Sequence, residues 1–361
     1  MGLGAIVIVG AGADGFGRAV QQDEKEPAPL LTQPLGCVEI LGCSVLERML
    51  ERMIRAEVEV ITLLVLDGVD LPRLPASLKN VSVQIVSDAS SGIAQVLGQY
   101  AQGDVEHAFV VLASLYAETD LLDLFYFHRE SRKTVTRACD AQGPLSLWVI
   151  DCAKAQHAGV ENLLLPENAQ VPTYFVREYV NRVAHPRDLR TFACDMLRGR
   201  CLARPRGSEI KPGIWVDESA DIHKRARIVA PAYIGRGSKI KEDTLITRCS
   251  AIERGCHVDA GTVIEDSSIL PNTHIGIWLD VCHAVANGNR LLSLERDVLV
   301  KISDASVMRS NGSLRKEVRN NVSLSLAKNE PLKVVSSKPV DSKKETPAPE
   351  AWQLGANPIQ G

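Results

Sequence analysis

The sequence predicts an α/β fold in two parts, a mainly parallel sheet covered by helices and then a parallel β-helix of hexapeptide repeats. Between Ile210 and Leu270 every sixth residue is aliphatic: Ile210, Val216, Ile222, Ile228, Ile234, Ile240, Ile246, Ile252, Val258, Ile264 and Leu270. Two places before each, from Ile222 onward, the residue is small: Ala220, Ala226, Ala232, Ser238, Thr244, Ser250, Cys256, Thr262 and Ser268. A period of six with a second phased position belongs neither to a helix nor to a simple strand. It belongs to a coil in which each unit supplies one short strand, and which closes a core only by stacking. Upstream, short buried-strand patterns alternate with amphipathic helical ones, the order of a parallel sheet.

The elements follow in order. Ala5 to Val9 is a buried strand, and Gly10-Ala-Gly-Ala-Asp-Gly-Phe-Gly17 follows it at once. Such a glycine turn lets backbone N–H groups approach a phosphate. Gly10, Ala11, Gly12, Asp14, Gly15 and Arg18 are therefore the candidate nucleotide-binding residues. Gly10, Gly12 and Gly15 also satisfy GxGxxG, but a dinucleotide fold needs a helix to open there. The stretch 21–34 is polar and broken by Pro27, Pro29 and Pro34, so no helix follows.

Ser44 caps a helix to about Ala56, with Val45, Leu46, Met49, Leu50, Met53 and Ile54 as its inward stripe. Glu47, Arg48, Glu51, Arg52 and Arg55 pair along its exposed face. Strands are expected at 58–66, 81–86, 108–113, 135–138 and 145–150, and helices at 92–101, 119–131 and 187–200. The second of those helices turns Leu121, Leu122, Leu124, Phe125 and Phe127 inward, with Asp120 and Asp123 favouring its N-terminal dipole. After Leu270 the six-residue register slips, and the segment to about Val307 caps the coil. Trp215 and Trp278 are expected to cover its two open ends. The chain thus divides into 1–203, 208–307 and a polar, largely disordered tail over 308–361.

Composition excludes some classes. A formal net charge of -3 gives no electrostatic case for nucleic acid or an anionic membrane, and aromatics at 4% leave few stacking platforms. The 9 cysteines contain no CxxC, so no zinc knuckle is read, and their odd number fits a reducing compartment. The apolar start meets Gly10 too soon for a signal peptide, and Ile6 stands where myristoylation wants Ser or Thr. The expected location is cytoplasmic.

An α/β domain opening with a glycine loop and followed by hexapeptide repeats resembles the sugar-1-phosphate nucleotidyltransferases, of the GDP-mannose pyrophosphorylase and NDP-sugar synthase type. The resemblance covers about residues 4–290. Its strand and loop match Ala5 to Gly12, its lead into the first helix matches Gly42 and Val45 to Arg55, and its later segment matches Thr119-Asp120 and Phe127-His-Arg-Glu130. It implies a Rossmann-like nucleotidyltransferase domain, a left-handed β-helix, and attack of a sugar phosphate on an NTP with Mg²⁺ held by carboxylates. The catalytic positions depart from that pattern. The family's lysine falls on Leu35, its metal-binding Asp on Ser114, and its second carboxylate on Arg182. The resemblance thus implies a degenerate domain with no catalytic residue and no metal ligand assigned, binding a nucleotide or sugar nucleotide. Mg²⁺ would enter only if it is active. The expected assemblies are a homo-oligomer through the β-helix or a subunit of a nucleotidyltransferase complex.

Two other classes stay open. Hexapeptide β-helices also serve acyltransferases with a histidine base, and His223, His257, His274 and His283 are available. His257 reads as an outward surface residue whose neighbours offer no acid–base partner. The other class is structural, with an oligomerising β-helix and a docking module.

Overall fold

The computed structural model describes residues 2–10, 29–69, 71, 81–158 and 171–311. By its contacts the chain divides into two compact units, Met1–Lys316 and Glu317–Gly361. The second unit, and with it nearly all of the expected tail, lies outside the described residues, as does most of the glycine run.

The first half is an α/β fold on a mixed, mostly parallel sheet. Its strands are β1 (Gly2–Val9), β4 (Val60–Leu66), β5 (Val81–Val86), β6 (Val105–Leu112), β8 (Val135–Asp140), β9 (Gly143–Asp151) and β10 (Thr173–Phe175), with a two-stranded hairpin, β2 (Glu39–Ile40) and β3 (Cys43–Ser44), preceding the first helix. The order across the sheet is β10-β8-β9-β6-β1-β4-β5. β1 runs parallel to both neighbours, and β9 alone is antiparallel to its own. Alternate residues of β1 enter cores on opposite faces. Ala5, Val7 and Val9 meet α1 (Val45–Arg55) and α3 (Leu121–Ser131). Ile6 and Ile8 meet α2 (Ala89–Gln102) and α4 (Cys152–Ala158). Burial on both faces is why these strands read as unbroken apolar runs.

Ser44 caps α1 through a capping box with Glu47, and Asp120 caps α3 by accepting from the Leu122 and Asp123 amides. Three side chains face the other way from expectation. Ile54 is 41% exposed, because it lies at the edge of the α1 stripe. Phe127 is exposed, and His128 takes the inward place, since 121, 124, 125 and 128 share one helical arc. Arg48 is buried, held by the carbonyls of Ile40 and Arg204 at 3.1 and 2.9 Å.

The second half is built on three parallel ladders visited in rotation. Ladder one stacks Ile214–Val216, Ala232–Ile234, Ser250–Ile252, Ser268–Ile269 and Ala284–Asn287. Ladder two stacks Asp221–Ile222, Lys239–Ile240, His257–Val258 and Thr273–Ile275, and ladder three Arg227–Ile228, Leu245–Thr247, Val263–Glu265 and Asp280–Cys282. Partners lie eighteen residues apart, as in Ile234↔Ile252, Ile240↔Val258 and Ile246↔Ile264. Ile234, Ile240, Ile246, Ile252, Val258 and Ile264 form one buried core.

The small phased residues do more than fit. The Ser238 hydroxyl donates to the Glu253 carbonyl at 2.7 Å, and Thr262 to Gly276 at 2.7 Å. Each also accepts an amide from the adjoining turn, Cys256 N–H at 3.3 Å and Leu279 N–H at 3.2 Å. A buried polar group needs such partners.

The register slip falls earlier than expected. The step from Ile264 to Ile269 is five residues, so Ile252 pairs Ile269 at a spacing of seventeen, and Ile264 pairs Val281 likewise. A second short step runs from Val281 to Ala286. Both lie at the corner between ladders three and one. At that corner Arg248 and Cys249 both have positive φ in the six-residue version, against Asp266 or His283 alone in the short ones.

Ile210, expected to start the series, sits 57% exposed in the antiparallel strand Ser208–Lys211. Antiparallel strands Arg290–Ser293, Val298–Lys301 and Met308–Ser310 follow the ladders. Trp278 covers no open end. It is 75% exposed and lies over Gly261, where an added Cβ would meet its ring at 2.6 Å.

The two halves share a core. The outward residues of ladder one, Tyr233, Ala251 and Val285, are buried against Leu189, Phe192 and Met196 of α5 (Pro186–Leu197). The Arg190 guanidinium reaches the shortened corner, donating to the Cys249 carbonyl at 2.7 Å and to Asp266 Oδ1 at 2.6 Å.

Candidate functional site

In an open parallel sheet, ligands bind beyond the carboxyl ends of the strands where chain order reverses. Here that point lies between β1 and β6, since β4 and β5 extend from one side of β1 and β6 stands on the other. A cavity of about 380 Å³ opens there. Its lining includes Ile8 and Gly10 at the end of β1, Leu112 to Ser114 at the end of β6, and Leu35-Gly36. Pro144 and Ser146 of β9 and Arg182 to Ala184 also line it.

Two glycines allow this close approach. Gly10 has φ +98°, and a Cβ there would meet Val69 Cγ2 at 2.6 Å. At Gly36 a Cβ would meet the Ala113 carbonyl oxygen at 2.2 Å, so the turn Leu35–Cys37 packs backbone to backbone on the β6 end. Each tolerates no side chain without a shift.

The positions that the family resemblance singles out converge here. Leu35, Ser114 and Arg182 line this one cavity beside Gly10. Of the candidate nucleotide-binding residues only Gly10 is placed; Ala11, Gly12, Asp14, Gly15 and Arg18 lie outside the described residues. No Asp or Glu is among the described residues of the lining. Nor does any group of three or more potential metal ligands occur among the described residues. The one cation among the described residues of the lining is committed elsewhere. Arg182, on β11 (Val180–Arg182), which pairs with β7 (Leu115–Ala117), makes a fork to Asp140 at 2.8 and 2.5 Å. That fork holds the Asp140 carboxyl below the usual carboxylate range. The pocket can seat a neutral or weakly polar body.

A larger cleft of about 1020 Å³ lies between the coil and the start of α1. Behind it stands Glu253, which the sequence reading missed. Its buried carboxylate accepts the Leu41 amide at 2.7 Å and the Gly42 amide at 3.1 Å. Leu41 and Gly42 are the two positive-φ residues of the β2–β3 hairpin loop, so their N–H groups face outward for capture. Burial, reinforced by the neighbouring Glu39, pushes the Glu253 carboxyl up to about 8.

The histidines are placed differently from expectation. His257 is half-buried, with its ring 6.3 Å from that of His274, and burial together with Lys239 pushes its pKa down. His274 does have a carboxylate partner, Asp259 Oδ2 at 2.8 Å, but only 4% of it is exposed. His283 bonds Asp266 Oδ2 at 2.7 Å.

Among the described residues no helix is long and apolar enough to cross a membrane. Comparison with protein-family models and with curated proteins gives no match.

Proposed function

We propose that the chain is a nucleotidyltransferase-like protein of nucleotide-sugar metabolism. In this reading its α/β half is a degenerate catalytic domain, its coil is a left-handed parallel β-helix, and the protein acts as a ligand-binding or regulatory subunit. One observation carries the proposal. The three positions that the resemblance assigns to a lysine and two carboxylates stand together in one pocket as Leu35, Ser114 and a neutralised Arg182. Phosphoryl transfer relies on positive charge over the triphosphate and on carboxylates holding Mg²⁺, and losing one such group costs about a hundredfold or more in rate. A shape retained without its charges fits recognition better than turnover. Gly10, which opens the glycine run, lines the pocket and offers its backbone to a phosphate.

The test is pyrophosphate release with Mg²⁺, across the nucleoside triphosphates and glucose-, mannose- and N-acetylglucosamine-1-phosphate. No release above a protein-free control is expected, together with calorimetric binding of a nucleotide or NDP-sugar that Ser114→Trp abolishes. Turnover with one specific pair would instead make the protein an active NDP-sugar pyrophosphorylase. Neither release nor binding, with acyl transfer from acyl-CoA, would return the assignment to the acyltransferase class.

A further inference from the structure

Along the flank of the α1 core stripe, three arginines follow one another at i, i+4 and i+7: Arg48, Arg52 and Arg55. Like charges at that spacing are mutually unfavourable on a helix. Residues 201–206 cross the same face and bring Arg204 and Arg206 to it, enclosing a cavity of about 260 Å³. Among the described residues of the lining, five arginines stand against one carboxylate, Glu51, which is ion-paired with Arg206.

The other arginines are held by neutral groups. Arg48 donates to the Arg204, Ile40 and Leu41 carbonyls, Arg52 to the Thr119 carbonyl at 2.7 Å, and Arg55 to the Glu51 carbonyl at 3.2 Å. Arg204 donates to the Cys201 carbonyl at 3.2 Å. Carbonyls orient a guanidinium without cancelling its charge. The C-terminal end of α1 supplies about half an elementary charge, far short of the excess of four. Two further donors, Arg48 Nε and Arg52 Nε, are buried with no acceptor among the described residues, and Arg48 is only 7% exposed. An oriented set of guanidinium forks, with Arg48 buried at its base and Arg55, Arg204 and Arg206 open to solvent, suits an oxyanion, and Arg does this better than Lys because its planar donors match phosphate oxygens in pairs.

We propose that this groove binds a phosphate group, carried on a small ligand or free. The carboxylates nearest to it on the α3 side, Glu118, Asp120 and Glu178, line an adjoining cavity with Arg52 and Arg55 and form no ion pair with them among the described residues. Glu118 is occupied by the Tyr116 hydroxyl at 2.9 Å and by the Ala203 amide at 3.2 Å. No described residue lines both this groove and the pocket between β1 and β6, so the site does not depend on the proposed nucleotide reading.

The probe is inorganic phosphate, titrated calorimetrically into the full chain against chloride at matched ionic strength. One saturable phosphate site is expected. Arg55→Glu, at an exposed position, lowers its association constant tenfold or more, and Arg52→Lys/Arg55→Lys, which keeps the charge but removes the forks, lowers it several-fold. Ser114→Trp leaves it unchanged. Heat no greater than with chloride, or binding lost with Ser114→Trp and kept with Arg55→Glu, overturns the assignment. Circular dichroism of each variant establishes that it is folded before the titration is read.

Discussion

The two halves of this chain bury apolar side chains by different means. In the α/β half a residue is inside because of what packs on it. β1 is sealed by helices on both faces, and α1 and α3 each turn one arc toward the sheet. In the coil a residue is inside because of its count along the chain, since Ile234, Ile240, Ile246, Ile252, Val258 and Ile264 stack in one column of turns. The first kind of core admits local exceptions, such as buried His128 and Arg48. The second admits very few, because the same position recurs in every turn and a misfit in one is felt by the turns above and below. Where the two meet, at α5 and the outward face of ladder one, the column borrows from the sheet's logic and is sealed on both sides.

That seam is the place to break the contrast. Phe192 is fully buried among residues of both halves, with its ring 4.6 Å from that of Tyr116. Phe192→Ala is expected to cost about 4 kcal/mol in chemical denaturation. A loss below about 1 kcal/mol would mean that the halves only touch.

The next test concerns the buried carboxylate joining coil to hairpin. A carboxyl whose folded pKa is raised holds its proton more tightly when folded. Its contribution to stability is therefore fully present below its unfolded pKa, near the ordinary 4.5, is lost as pH rises toward about 8, and is constant above. Compared with the wild type, Glu253→Gln should show a flatter stability profile between pH 5 and 8. Parallel profiles would show that the carboxyl is not held neutral by the fold.

The smallest expected effect sharpens the account of the coil. Ser238→Ala keeps the size that the period demands but removes the hydroxyl bridging two turns, leaving the Glu253 carbonyl without that donor. A loss of about 1 kcal/mol is expected from urea titration. No loss would mean that only smallness matters there.

The coil was legible because its code is local. Counting by six located its interior, and the alternation of strands and helices located the sheet. The caps at Ser44 and Asp120 were readable for the same reason, since each acts within three residues. Features made by distant segments were not readable. Arg48 looked like one member of a solvated charge pattern, yet the carbonyl that buries it comes from Arg204. The Arg182–Asp140 fork spans 42 residues, and Glu253 meets Leu41 across 212. Phe127 departs from its hydropathy for another reason: the arc set by Leu121, Leu124 and Phe125 selects His128 for the inward place. The shared lining of Leu35, Ser114 and Arg182 was foreshadowed only by the family pattern, since nothing in their local sequence brings them together.

The two short steps at the corner beside α5 give the coil something like a reading frame. A residue inserted within one of its strands would act as a frameshift, turning every later aliphatic side chain outward and every later charge inward. At the corner between ladders three and one the frame has been shortened twice, Ile264 to Ile269 and Val281 to Ala286, with the column resuming in phase each time. Length is therefore edited in single residues at this corner, where Arg190 gathers the carbonyls of Arg248, Cys249 and Asp266.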